Sequence, residues 1–353
     1  MAKRALLSGG GSGGHVFPGL AVAEELERRG WRVSFAGNAQ GVEARLAVAH
    51  GLEFHSIPAR PLRGRGLGER LLALWLVATS TLRSRRLIKS LGVDAVVATG
   101  GYVCVAAGLA ARLCRLPLVL VEPNAVPGLA NKLLGRFATA AAVAWESTIA
   151  ALPCPAEVTG VPVRSRFFTA AGRPFEPPWR ILVLGGSQGA ESLNLGLPPV
   201  FERLRRDGGP ALSVLHQAGA GKETAAAAAW AATEVEAEVV TFIDDVAAAM
   251  ADAHLGVSRA GAVTLAEICA AGRPSILAPL HLAGGHQADN ARALERAGAA
   301  RVLEPGQLDA EELRLLLLDV LDGPRLEAMA AAARSLAHPD AASRIVDIVE
   351  GAS

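Results

Sequence analysis

The chain is 353 residues long, 51% hydrophobic and 20% charged, a composition of packed globular protein rather than disorder, with room for two domains of ordinary size. A net charge of +1 and a single tyrosine argue against bulk attraction to nucleic acid and against base-stacking platforms. Cys104, Cys114, Cys154 and Cys269 form no C-x-x-C pair, so neither a zinc site nor a disulfide framework is expected, and a reducing cytosol fits.

Lys3-Arg4 is followed by three apolar residues only, too short a run for a signal peptide. That run, 5–7, leads into Ser8-Gly9-Gly10-Gly11-Ser12-Gly13-Gly14-His15, and a helical pattern of Leu20, Ala23, Glu24 and Leu26 follows over 17–29. Strand, glycine loop and helix start let backbone N–H groups and a helix dipole face an anion. Gly9, Gly11 and Gly14 satisfy G-x-G-x-x-G, a weak signal by itself because glycine-rich turns match many patterns. The first half reads as strands at 5–7, 32–36, 95–98, 118–121 and 140–144. Helices fall at 19–29, 43–49, 71–90, 106–115 and 128–136. The uncharged run 95–111 is broken by Gly100-Gly101 and reads as strand, turn, helix rather than a membrane span.

Composition breaks at Pro153-Cys154-Pro155 and again over the proline-rich 173–178, and then the opening pattern returns. Ile181-Leu182-Val183-Leu184 is a strand, Gly185-Gly186-Ser187-Gln188-Gly189 a glycine loop, and a helix carries Leu193, Leu197 and Val200 from Ala190 onward. Further strands read at 213–217, 239–242, 255–258, 275–278 and 301–303. His338-Pro339-Asp340 breaks the last long helix before a final one at 343–349. Alternating βα units predict an α/β chain of two Rossmann-like halves, each with a parallel sheet opened by a glycine loop. A dinucleotide fingerprint would need an acid ending the second strand. Here that strand ends Phe35-Ala36-Gly37-Asn38 and the first acid beyond is Glu43, so a nicotinamide cofactor is disfavoured.

The richest stretch for chemistry is 257–272. A strand ends at Ser258 and a helix starts near Ala262, stopping at Gly272 before Pro274. N–H groups around Ala262, Val263, Thr264 and Leu265 suit a diphosphate, and Glu267 suits a ribose diol. The competing reading makes Thr264 a cap and Glu267 a solvated charge. Upstream, Asp245 reads as the N-cap of a helix at 246–250, while Ile243 could offer backbone groups to a base edge. Downstream, Gln287 suits sugar hydroxyls, or else caps a helix. In the first half His15 closes the glycine loop, as a base or as a packing residue. Glu122-Pro123-Asn124 follows a strand at the carboxyl end of the sheet, where α/β sites lie. Arg164, at the domain junction, suits a phosphate or an interdomain ion pair.

Residues 60–89 carry Arg60, Arg63, Arg65, Arg70, Arg83, Arg85, Arg86 and Lys89 against the single acid Glu69. Between them Leu71, Leu72, Leu74, Trp75, Leu76, Val77 and Leu82 are too many apolar residues for one core-facing stripe, with Leu72 and Leu76 turning away from the rest. A basic-rimmed apolar helix reads as a membrane-surface contact; a helix buried between sheet and loop is the alternative.

Taken together, the motifs at 9–23, Gly100-Gly101-Tyr102-Val103, Glu122-Pro123-Asn124 with 128–132, 160–164, 185–190 and 259–267 closely resemble the MurG family, over nearly the whole chain. These are inverting transferases of peptidoglycan synthesis. They move GlcNAc from UDP-GlcNAc to the MurNAc 4-hydroxyl of undecaprenyl-pyrophosphoryl-MurNAc-pentapeptide (lipid I), forming lipid II. The resemblance implies the GT-B fold, two Rossmann-like domains facing a central cleft, and no cofactor or metal. It implies an acceptor and membrane-docking domain at 1–162, with the C-terminal helix 340–353 returning to it, and a UDP-GlcNAc domain at 163–339. Ser187 and the helix start at Ala262, Val263, Thr264 and Leu265 would meet the diphosphate, with Ala266 a further UDP-GlcNAc contact. The Ile243 backbone would read uracil, Glu267 would hold the ribose and Gln287 the GlcNAc hydroxyls. Ser12, Gly13, Gly14, Asn124 and Arg164 would add donor contacts along the cleft. Leu71, Leu72, Trp75 and Leu76 would dock on the cytoplasmic face of the cell membrane, as a peripheral protein, with other cell-wall synthesis proteins as further partners and no nucleic acid.

The chain departs from the family in four places. Ser12 stands where Thr is usual, Val121-Glu122-Pro123 where His-Glu-Gln is common, and His286-Gln287 where many relatives carry Gln-Gln. Cys104-Val105-Ala106-Ala107-Gly108 is less polar than the usual Ser-Gly-Pro. Inversion needs a base for the acceptor hydroxyl and stabilisation of departing UDP. His15 is the candidate base and Glu122 the alternative. Two other functions share the architecture: a UDP-GlcNAc 2-epimerase, which needs no acceptor, and a non-catalytic nucleotide-sugar-binding peripheral membrane module.

Overall fold

The computed structural model describes residues 2–60, 67–186, 188–280, 286–303 and 310–353, apart from the side chains of 67–71, 73 and 310. The chain divides into two compact units, Met1–Val163 with His338–Ser353, and Arg164–Ala337.

In the first unit seven parallel strands are ordered β3-β2-β1-β4-β5-β6-β7. They are β1 (Arg4–Gly9), β2 (Arg32–Gly37), β3 (Glu53–Ser56), β4 (Ala95–Gly100), β5 (Leu118–Glu122), β6 (Ala140–Val143) and β7 (Ala156–Val158). The central strands read as unbroken apolar runs because helices cover both faces; β4 and β5 are buried along their whole length. One core layer joins Leu7, Val97 and Val119 to Leu20 and Leu26 of the first helix, Gly13–Arg28, and to Ile345, Val346 and Val349 of the C-terminal helix, Ala341–Ala352. Arg29 fixes that last helix beside the first: its guanidinium reaches Asp347 at 2.6 Å, and Glu25 and Glu350 at 2.8 Å. The other layer packs Leu6, Val96 and Leu120 on the helix Cys104–Cys114.

The second unit has six parallel strands ordered β10-β9-β8-β11-β12-β13. They are β8 (Trp179–Leu184), β9 (Leu212–Gln217), β10 (Glu236–Val240), β11 (Leu255–Ser258), β12 (Ser275–Leu277) and β13 (Ala300–Val302). Ile181, Val183 and Val257 form its core with Leu193, Leu197, Val200 and Phe201 of the helix Glu191–Arg206.

Three expectations change. β3 and β7 are additional edge strands. The first helix begins at Gly13, not beyond Phe17, so Gly13, Gly14 and His15 form its opening turn. And β10 ends at Val240, which leaves Phe242 and Ile243 in the segment leading to the helix Val246–Asp252.

Candidate functional site

In each unit the strand order reverses beside its first strand, between β1 and β4 and between β8 and β11. Open α/β sheets bind ligands outside the carboxyl ends of the strands at such a point. The chain places its glycine-rich turns there. β1 ends at Gly9, paired with Gly100 after a register shift following Ser8, and β8 ends at Leu184, level with Ser258.

At the first reversal, Ser12 is the N-cap residue of the helix and its carbonyl accepts from the His15 N–H at 3.2 Å. His15 is half-buried. Its Nδ1 lies 3.0 Å from the Thr99 carbonyl oxygen, which can only accept, while the Thr99 hydroxyl donates to the His15 carbonyl at 2.7 Å. The neutral ring therefore carries its proton on Nδ1 and its lone pair on Nε2, the arrangement a general base needs. The turn after β4 keeps the ring in place. A Cβ on Gly100 would lie 2.7 Å from Nδ1, and one on Gly101 would run into the Gly10 carbonyl; both residues have positive φ.

Glu122 has a different role from the alternative assigned to it. It is buried, and its carboxylate is used up inside its own loop. Oε1 accepts from the Asn124 backbone and side-chain N–H groups at 3.0 and 2.9 Å, and Oε2 from Gly128 N and Asn131 Nδ2 at 2.8 and 3.0 Å. Four donors on two oxygens leave no outward lone pair for an acceptor proton, so Glu122 shapes the loop and orients Asn124.

At the second reversal the helix Ala262–Ala271 starts with Gly261 at its N-cap and no side-chain cap, so Thr264 does not cap it. The Leu265 N–H donates to the Gly261 carbonyl at 3.0 Å and the Leu265 side chain is buried, and Ala266 continues the helical ladder. The N–H groups ahead of the helical ladder are thus those of Ala262, Val263 and Thr264, one fewer than expected. Glu267 lies one turn on, its side chain only 17% exposed. Burial pushes its carboxyl up to about 7, against the opposing pull of Arg164 at 3.5 Å. Arg164 therefore pairs within its own unit, rather than between domains, with its guanidinium 5.2 Å over the Phe167 ring. Asp245 is the N-cap expected, accepting from Ala248 N at 3.1 Å. Gln287 uses its side-chain oxygen to accept from Leu280 N at 2.9 Å, so its amide N–H groups are what it could offer a ligand. Ser187 lies outside the described residues.

Sequence reasoning missed the scaffold of the second glycine loop. The Trp230 indole N–H donates to His216 Nδ1 at 2.9 Å, so His216 Nε2–H donates to Asn194 Oδ1 at 3.0 Å. Asn194 Nδ2 in turn donates to the Ala218 carbonyl at 3.0 Å, and Gly189 packs against that carbonyl so closely that no Cβ fits. Burial holds His216 down at about 4, so the ring stays neutral and the chain of donors keeps one direction. A groove of about 300 Å³ lined by Arg180, Ser213, Glu236, Glu238 and Asp252 runs along the amino-terminal halves of β8–β10, away from the carboxyl ends of those strands.

The helix Leu67–Leu91 presents an unusual pair of faces. Leu72 (48%), Leu74 (57%), Trp75 (62%) and Leu82 (53%) are exposed, whereas Ser80, Thr81, Ser84 and Ile88 are buried. The buried hydroxyls are satisfied locally: Ser80 donates to the Pro58 carbonyl, Thr81 to that of Val77 and Ser84 to that of Ser80. Leu76 is half-buried, and the Leu71 side chain lies outside the described residues. Among the described residues the apolar stripe therefore faces outward.

Residues 5–143 match the glycosyltransferase family 28 N-terminal domain and residues 180–345 the glycosyltransferase family 28 C-terminal domain. The chain is 42% identical over 351 residues to the UDP-N-acetylglucosamine–N-acetylmuramyl-(pentapeptide) pyrophosphoryl-undecaprenol N-acetylglucosamine transferase of Chromohalobacter salexigens, covering 98% of this chain and 95% of that one. The crystal structure of Acinetobacter baumannii MurG matches with a TM-score of 0.83 at 33% identity, over 99% of both chains. A putative UDP-N-acetylglucosamine 2-epimerase from Listeria monocytogenes gives 0.71 at 16% identity, over 99% of this chain and 96% of that one, a likeness of fold alone. The two parallel α/β units are those of the GT-B fold.

Proposed function

The chain belongs to the MurG transferases of glycosyltransferase family 28, and from that premise we propose that it transfers GlcNAc from UDP-GlcNAc to the MurNAc 4-hydroxyl of lipid I, forming lipid II. The observation that carries the site assignment is His15, whose ring is held by Thr99 in the tautomer that leaves Nε2 as the proton acceptor. His15 removes the 4-hydroxyl proton as that oxygen attacks the anomeric carbon of GlcNAc. The new C–O bond forms in line with the breaking bond to the diphosphate, the anomeric configuration inverts from α to β, and UDP departs with the electron pair. The N–H groups of Ala262, Val263 and Thr264 and the Arg164 guanidinium take up the charge developing on the diphosphate. Glu267 accepts from the ribose hydroxyls, Ile243 meets the uracil edge and Gln287 the GlcNAc hydroxyls. Ser12, Gly13, Gly14 and Asn124 complete the donor contacts, with Ser187.

The helix Leu67–Leu91 supports membrane docking. Its outward Leu72, Leu74 and Trp75 form a patch that a bilayer interface would cover, next to exposed Arg83 and Arg86 that suit anionic headgroups. No described helix is long and apolar enough to cross a membrane. We therefore read the protein as peripheral, on the cytoplasmic face where lipid I is exposed. The test is UDP release from UDP-GlcNAc with and without a short-chain lipid I analogue. Acceptor-dependent release is expected; the manno epimer without acceptor, or binding without release, would overturn the reading.

A further inference from the structure

Glu43 is the first acid after β2, and its carboxylate is spent on backbone N–H groups of the chain itself. It sits in the first turn of the helix Val42–Ala49 and is 1% exposed. Oε2 accepts from the Gly11 N–H at 3.3 Å and Oε1 from the Asn38 N–H at 3.1 Å. Three glycines box the side chain in. A Cβ on Gly10 would lie 2.5 Å from the carboxyl carbon, one on Gly37 2.6 Å from Cγ, and one on Gly41 would overlap the carboxylate. On its other side the loop meets Tyr102, whose ring would be 3.2 Å from a Cβ on Gly11, and the Gly10 carbonyl is pressed on Gly101.

We infer that Glu43 is a positioning residue for transfer: its carboxylate fills the anion cradle of the first glycine loop from inside the protein and so fixes the loop that carries Ser12 and His15. The inference rests on the proposed function, because it concerns the geometry of the proposed base. A loop N–H that would otherwise face a phosphate is engaged by an internal anion, and a buried carboxylate so close repels a second one. The same contact sets the path of the chain into the first helix. Gly11 is followed directly by Ser12, whose carbonyl receives the His15 N–H, and Gly100 and Gly101 on the facing turn hold the ring. Displacing the loop displaces the imidazole with it.

The experiment compares Glu43→Gln and Glu43→Ala with wild type, using UDP-GlcNAc and a short-chain lipid I analogue. Glutamine keeps the shape but offers one acceptor oxygen for two N–H donors. Expected for Glu43→Gln is a fall in kcat of about 10–100-fold, with a smaller rise in the KM for UDP-GlcNAc because the same loop leads into Ser12, Gly13 and Gly14. Formate, a carboxylate small enough to refill the space, restores part of the kcat of Glu43→Ala. A Glu43→Gln kcat within about threefold of wild type, or a loss that only tracks the unfolded fraction seen by circular dichroism, overturns the inference. Wild type that releases no UDP with acceptor present overturns the functional reading, and this inference with it. Wild-type transfer alongside an unaffected Glu43→Gln overturns the inference alone.

Discussion

The two glycine loops occupy equivalent places at the reversals of two similar sheets, but they are built on opposite electrostatics. The first, after β1, has the Glu43 carboxylate packed into it and leads to His15. The second, after β8, is held by neutral and cationic groups: Gln217 donates to the Gly186 carbonyl at 3.3 Å, Lys222 to that of Gly189 at 3.2 Å, and Asn194 to the Ala218 carbonyl beside it. Nearby, Arg259 donates to the Ala278 carbonyl at 2.9 Å and to the Ser192 hydroxyl at 2.8 Å, one turn before the uncapped helix start at Ala262. The proposed assignment puts the donor's diphosphate at the second loop, where no buried carboxylate opposes it. On that assignment, one architecture used twice separates leaving-group stabilisation from proton removal. This also explains why a glycine pattern alone says little about ligand: the residues packed behind the loop decide it.

The largest expected effect breaks the comparison on the first side only. His15→Ala should lower kcat by about 10²–10⁴-fold while UDP-GlcNAc affinity, measured by calorimetry, stays within about twofold. If acceptor-dependent turnover persisted near the wild-type rate, the proton would have to leave by another route and the division of labour would fail.

Much of this arrangement was legible in sequence, and the parts that were not share physical causes. Central parallel strands announce themselves because both faces are buried; β3 (Glu-Phe-His-Ser) and β7 (Ala-Glu-Val) do not, because edge strands are short and half-wet. The first helix was placed too late because Gly13 and Gly14 are poor helix formers that tertiary contacts hold in a helical turn. His15 and Glu267 are proposed from their positions after a glycine loop and a strand end, and the structure adds the partners of each. Glu43 was noticed only as a misplaced ribose ligand, since periodicity does not tell which way a side chain turns. Glu122 misled in the same way: its place at the end of β5 marks a site, whereas the donors that saturate it come from Asn124, Gly128 and Asn131. In the helix Leu67–Leu91 the polar face is the buried one, because Ser80, Thr81 and Ser84 satisfy their hydroxyls on backbone carbonyls and pack as small residues.

A middle-sized effect sharpens the second side. Burial raises the Glu267 carboxyl to about 7, so the carboxylate proposed to accept from the ribose hydroxyls predominates above that pH and is lost as pH falls through it. The KM for UDP-GlcNAc should therefore rise about tenfold between pH 8 and pH 6, the change in ionised fraction about a midpoint of 7. Glu267→Gln, which cannot titrate, should show a raised KM that is flat across the same range, with little change in kcat on the acceptor side. A wild-type KM independent of pH would remove Glu267 from the ribose contact.

The smallest effect distinguishes the first unit's two tasks from each other. Trp75 is exposed at the centre of the outward stripe, and burying such a side chain in an interface is worth about 1.5–3 kcal/mol. Trp75→Glu should weaken sedimentation with anionic vesicles about tenfold, the low end of that range, because Leu72, Leu74 and the neighbouring arginines still contribute. Transfer to a vesicle-embedded acceptor should fall only a few-fold, since substrate and enzyme share a surface whenever the enzyme binds. Transfer to a soluble short-chain analogue should not change, because Trp75 is outside the residues proposed for proton removal and donor binding. Equal losses on both acceptors would mean that the stripe packs within the protein during turnover, and would return Trp75 to a structural role.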